Sequence, residues 1–138
     1  MKLKLAFAAT LYIQSSICSA QSNAEVVRAL NNVQHEMSTC IAYNTIVASC
    51  IRSQDPTTAD AYDAAAEHLL LVSNRIGQTI GMSQDAMNSR MTLEWSQMNK
   101  LIGQNCVNIS SLTSRHAFRC KEVVENGDGI LAEHLNTQ

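Results

Sequence analysis

From Ala24 to Arg52 the core-facing residues of this chain recur in alternating steps of four and three, and cysteines ride on that stripe. Val26, Leu30, Val33, Met37, Cys40, Asn44, Val47 and Ile51 share one side of a helix, with Asn44 as the polar member. Val27, Ile41, Ile46 and Cys50 widen the stripe to the breadth that a bundle helix needs. The stretch CIAYNTIVASC, Cys40 to Cys50, is then nearly three turns of one rod, with its two cysteines about 15 Å apart. They cannot bond to each other. Each needs a partner elsewhere in the chain.

The rest of the pattern is also helical. Strand-forming residues are not clustered in alternating runs, and the chain holds one proline and five glycines. Ser22 and Glu25 are spaced as a capping box for the first helix, which should end near Ser53. Asp55 and Pro56 then suit the N-cap and first position of a second helix carrying Tyr62, Ala65, Leu69, Val72, Ile76 and Ile80. Gly81 is placed to close that helix in a left-handed conformation. Ser83 restarts the chain, and Asp85 puts favourable charge at the start of a third helix. Its stripe reads Met87, Met91, Trp95, Met98, Ile102, Asn105 and Ile109. The polar stretch NISSLTS, 108–114, is either a turn or a weak part of one long helix. RHAFRCKEVVEN resumes a helical pattern through Ala117, Cys120 and Val124, with Gly127 as its stop.

The N-terminus reads as a secretory signal peptide over residues 1–20. Lys2 and Lys4 precede an apolar core from Leu5 to Ile13, and Cys18 and Ala20 stand at the −3 and −1 positions of a cut before Gln21. The apolar core is far shorter than the roughly 20 residues of a membrane span. Ile17 is too large for a lipoprotein site that would make Cys18 the first mature residue. The expected organisation is residues 1–20 as signal, 21–127 as one bundle domain and 128–138 as a short C-terminal tail, frayed or holding a turn near Ile130 to Leu135.

Removal of the signal leaves four cysteines, Cys40, Cys50, Cys106 and Cys120, an even number that suits two structural disulfides in an exported protein. Four cysteines allow three pairings. If the first helix runs up, the second down and the third up, residue 106 returns roughly level with residue 50, so Cys50 and Cys106 are natural partners. Cys40 then needs Cys120. A continuous third helix would separate those two by more than ~30 Å at ~1.5 Å per residue, whereas a disulfide tolerates no more than about 7 Å between α-carbons. Pairing of all four therefore favours a chain that turns within 108–114 and descends. The expected fold is an all-α, small up-down bundle of three to four helices, linked by two disulfides.

Composition narrows function mainly by exclusion. Two of the ten Lys and Arg leave with the signal while all twelve Asp and Glu stay, so the mature net charge is near −4. A nucleic-acid-binding domain needs a basic face to release counterions, and the cationic cluster Arg115 to Lys121 reads more simply as a solvated helix face. Three histidines adjoin glutamates, at His35-Glu36, Glu67-His68 and Glu133-His134, but helical neighbours point about 100° apart. The Glu-x-x-His spacing of a di-iron bundle is lacking. Met82, Met87, Met91 and Met98 suggest soft copper ligation, yet the last three share the Trp95 and Ile102 face, where core packing is the ordinary use. Asp60 and Asp63 lie at a helix start and complement its dipole. No nucleophile motif of the G-x-S-x-G type occurs, and no cofactor motif either. These readings point to a non-enzymatic exported protein, periplasmic or secreted, that binds another protein, without nucleic acid and without stable membrane insertion. The alternative is a metal- or small-molecule-binding bundle built on Met and His.

Overall fold

The computed structural model describes the backbone of residues 7–137 and the side chains of residues 23–137. Among the described residues five helices follow in order: α1 (Phe7–Ile51), α2 (Pro56–Thr79), α3 (Gln84–Leu101), α4 (Ile109–Glu125) and α5 (Gly127–Asn136), with a 3₁₀ turn at Cys106–Asn108. Among the described residues there is no strand, and no helix is long and apolar enough to cross a membrane.

The first helix is the axis of the molecule. α2, α3, α4 and α5 each pack against it, and they pack far more on α1 than on one another. Val33, Met37, Cys40, Ile41, Ala42, Tyr43, Ile46, Val47 and Ala48 are all buried, so the stripe read from the sequence widens to most of the circumference. The earlier turn stays open, with Val26 and Val27 exposed. The N-terminal capping box is corrected: α1 is continuous from Phe7, and Ser22 lies inside it. The reason is plain in the sequence, where neither glycine nor proline precedes Pro56. The signal-peptide reading falls largely on residues outside the described side chains.

The α1–α2 and α2–α3 connections form as their residues dictate. Asp55 caps α2, its Oδ1 accepting from the Thr58 backbone N–H at 3.0 Å and its Oδ2 from the Thr58 hydroxyl at 2.6 Å. Those two donors hold the Asp55 carboxyl below its ordinary range, the hydroxyl contributing most. Gly81, at φ +75°, ends α2 as expected. Its N–H bonds to Gln78 O and that of Met82 to Gly77 O, the paired bonds of a Schellman motif. Ser83 Oγ then accepts from Ala86 N and caps α3.

The third connection differs from the expectation. The chain does not turn at 108–114, and α3 does not run to Ile109. Gly103, at φ +69°, repeats the Gly81 device: its N–H bonds to Lys100 O and that of Gln104 to Asn99 O. The turn is thus GQNCVN, and NISSLTS contributes the cap and first turns of α4. Asn105 Oδ1 accepts from Val107 N and starts the short 3₁₀ turn. The helix count also exceeds the expected three to four. Gly127, expected to stop the preceding helix, instead opens α5, and residues 128–136 of the expected tail continue it, capped by Asn126 and held by Ile130 in the core.

Both disulfides join α1 to the C-terminal third. Cys40 bonds Cys120 and Cys50 bonds Cys106, with α-carbons 5.2 and 5.4 Å apart. The first lies within the hydrophobic core, with both cysteines buried; the second sits at the end of the bundle, where Cys106 is exposed.

Candidate functional site

Three places hold side chains that packing does not fully explain. The first is a groove between α1 and α3, of about 210 Å³, lined by Ile41, Ala42, Thr45, Met91, Thr92 and Trp95. The α3 stripe splits along its length. Met87, Met98 and Ile102 are buried and Met91 is half-buried, but Trp95 is 48% exposed. The core position expected for Trp95 is therefore corrected: it stands on the groove wall. α3 is anchored at one end by Met87, seated against Gly77 of α2, and at the other by buried Ile102, and Trp95 stands between them on the side of the groove. His35 of α1 and Glu94 of α3 approach to 3.8 Å. Leu71, Leu93, Val107 and Phe118 are further large apolar side chains left exposed.

The second is a cleft of about 380 Å³ between α1, α2 and α4. Alanines make its walls: Ala61 and Ala65 from α2 and Ala117 from α4, with Tyr62 and Val124 beside them. Lys121 and Glu125, 4.0 Å apart, stand where α4 borders it. From α1 come Tyr43 and Asn44, only 2% and 3% exposed. Among the described residues the Tyr43 hydroxyl and the Asn44 side-chain nitrogen find no hydrogen-bond partner. An unpaired buried polar group costs about 1–3 kcal/mol. Burial foremost raises the Tyr43 hydroxyl far above the ordinary phenol range, and the neighbouring Tyr62 hydroxyl also opposes its ionisation. The two rings meet edge to face at 6.2 Å, without a hydrogen bond of ordinary geometry to the Tyr43 oxygen. The His116 ring lies 6.1 Å from that of Tyr43, and burial lowers its pKa.

The third is an ion cluster that ties α1, α4 and α5 together. The Arg119 guanidinium grips Glu36 with two bonds, Nε to Oε2 at 3.0 Å and Nη2 to Oε1 at 2.9 Å. Its Nη1 donates to Glu133 at 2.8 Å and lies 3.4 Å from Glu122. His134 Nε2 sits 3.0 Å from Glu36 Oε1. The bonds to Glu36 and Glu133 raise the Arg119 pKa and lower that of Glu133. Arg119 belongs to the stretch read as a solvated cationic face, and that reading is corrected here: a half-buried guanidinium between carboxylates is a tie between helices. Histidine–glutamate adjacency built no shared site, yet members of two such pairs, Glu36 and His134, meet across the fold.

The remaining candidates fall elsewhere. His68 is exposed on α2. Asp60 and Asp63 do more than complement a dipole: they receive the two ends of the Arg52 guanidinium and clamp the end of α1 to the start of α2. Met87 and Met98 are core and Met91 borders the groove, so the methionines do not converge. Among the described residues no three His, Cys, Asp or Glu side chains gather as a metal site. A buried network was not foreseen. Gln34 Nε2 donates to Ser38 Oγ at 3.2 Å and Ser73 Oγ at 3.1 Å, while Arg90 bonds Gln34 Oε1 and, at 3.2 Å, Asn31 Oδ1. The signal for it lies in polar residues one helical turn apart, at 31, 34 and 38, beside an apolar stripe. Comparison of the chain with protein-family models, with curated proteins and with solved structures finds no match in any of the three.

Proposed function

We infer that this chain is exported, is processed after residue 20, and acts in the periplasm or outside the cell by binding another protein through the α1–α3 groove. The observation that carries the reading is Trp95, half-exposed on a groove whose other walls are Met91, Ile41, Ala42, Thr45 and Thr92. Tryptophan anchors are enriched at binding hot spots, methionine walls adapt to varied partners, and a groove between two helices takes the apolar face of a third. Two disulfides support an oxidising compartment. Cleavage before Gln21 would leave Ser22 and Glu25 at the head of the shortened α1, free to form the capping box that the uncut helix does not use.

Trp95 is the sole tryptophan, so its emission reports groove occupancy directly. A photo-crosslinking residue at Thr92, on the disulfide-bonded mature protein, should capture a discrete partner from the envelope or culture medium of its own host. Replacing Trp95 with alanine should lower that yield at least tenfold, and the captured partner, once purified, should shift the wild-type emission to the blue. Adducts that persist unchanged in Trp95→Ala, or emission that does not move, would overturn the reading.

A further inference from the structure

Beyond the groove, we propose that the cleft between α1, α2 and α4 binds a small neutral ligand with an apolar body and a carbonyl oxygen, held by the Tyr43 hydroxyl and the Asn44 amide. The two unpaired polar groups sit on consecutive residues of α1, and both side chains border the same cleft. The Asn44 nitrogen only donates and the Tyr43 hydroxyl can donate, so an acceptor satisfies both. A ketone or amide carbonyl supplies such an acceptor, with two lone pairs, on an otherwise apolar body.

The rest of the cleft defines the body of the ligand. Ala61, Ala65, Ala117 and Val124 offer short apolar walls, and Tyr62 offers a ring edge. A volume near 380 Å³ falls at the lower end of the range for small-molecule sites, about 300–1,000 Å³. Charge argues against an anionic head at the buried end, because the cations of this region, Lys121 and Arg115, are exposed on α4. His116, the other titratable group against Tyr43, is kept from protonation chiefly by burial. A carboxylate there would be desolvated beside neutral donors alone. The Tyr43 oxygen and Asn44 nitrogen are shielded from solvent, so entry requires a shift of Tyr62, the half-buried ring set edge-on against Tyr43.

The test uses the disulfide-bonded mature protein and three probes of one size: acetophenone, ethylbenzene without the acceptor, and benzoate with a charge. Titration is followed by the Asn44 side-chain amide resonance and by calorimetry. Acetophenone should bind saturably and move the Asn44 resonance, with ethylbenzene and benzoate each at least tenfold weaker. Tyr43→Phe should fold at least as stably as wild type, since the lost hydroxyl makes no hydrogen bond of ordinary geometry, yet bind acetophenone about tenfold more weakly. Ala65→Leu, which fills the cleft, should abolish binding with the helical circular dichroism intact. No saturable binding up to the solubility of acetophenone, equal affinity for ethylbenzene, tighter binding of benzoate, or unchanged affinity in Tyr43→Phe each overturns the proposal. None of these results bears on the Trp95 crosslinking, so the two readings fail separately.

Discussion

Arg119 shows how much one side chain contributes when it is placed between helices. Its bidentate hold on Glu36 spans α4 and α1, while Glu133 adds α5. Arg119→Met should cost about 1–2 kcal/mol in urea unfolding at neutral pH, because Glu36 loses both charge-assisted bonds. Glu133→Gln, at the exposed edge, should change stability by less than about 0.5 kcal/mol. Titration gives a second readout at this scale. Burial lowers the His116 pKa, with Arg115 acting in the same direction and Glu94 against it. The unfolded state then binds more protons over the interval between its pKa, about 6.5, and the lower folded value. Stability contributed by neutral His116 is full above that interval and is lost as pH falls through it. The depressed carboxyls of Asp55 and Glu133 act in a separate window, holding above the unfolded carboxylate range and fading as pH falls through their folded values. Thermal midpoints measured from pH 7.5 to 3 should therefore decline in two stages, and His116→Gln should remove much of the upper one. An unchanged upper stage in that variant would assign it to other groups.

Glycines decide where the elements end and how closely they pack. Gly81 and Gly103 close α2 and α3 by the same Schellman geometry, at φ +75° and +69°. Gly103→Ala should destabilise by about 1–2 kcal/mol, the cost of a side chain in left-handed backbone. Gly77 has another task. A Cβ there would lie 2.1 Å from the sulfur of buried Met87, so the glycine is the seat on which α3 rests against α2. The helix propensity of alanine returns about 1 kcal/mol, and overpacking costs about 1–3. Gly77→Ala should thus be net destabilising by up to about 2 kcal/mol in denaturant titration. In a Met87→Ala background the same change should turn neutral or favourable, since only the clash sets its sign.

At the scale of the whole molecule, the C-terminal third is joined covalently to the central helix. Loops of 80 and 56 residues differ by only about 0.3 kcal/mol in closure entropy, so length does not rank the two disulfides. Exposure does. Cys40 and Cys120 are both buried, whereas Cys50 is half-buried and Cys106 open to solvent. Mild reduction followed by alkylation and peptide mapping should label Cys50 and Cys106 well before Cys40 and Cys120. Removing the inner bridge as the double Cys→Ser variant should cost about 2–5 kcal/mol, with the order of labelling as the independent check on which bridge is sealed. Simultaneous labelling of all four cysteines would mean that the ends of the bundle open together.

Much of this architecture was legible from the chain alone, because helix formation, capping and level along a rod are local or nearly local matters. The stripe through Cys40, the Asp55–Pro56 start and the Gly81 stop follow from spacing and residue type, and level along the rods favoured the two disulfide pairings, although the turn they require lies at 103–108 rather than 108–114. The true turn at Gly103 carried the same signal as Gly81, but the apolar pattern of Ile102 and Ile109 spoke for a longer helix. What only the tertiary structure decided is which residues from distant segments share a place. Glu36 and His134 meet although 98 positions apart; Trp95 leaves its stripe for a groove; the Tyr43 hydroxyl and the Asn44 side-chain nitrogen are buried without a hydrogen bond beside alanines of two other helices. Periodicity assigns a residue to a face of its own helix, whereas the neighbour across that face depends on crossing angles and axial shifts that packing sets jointly for all five helices.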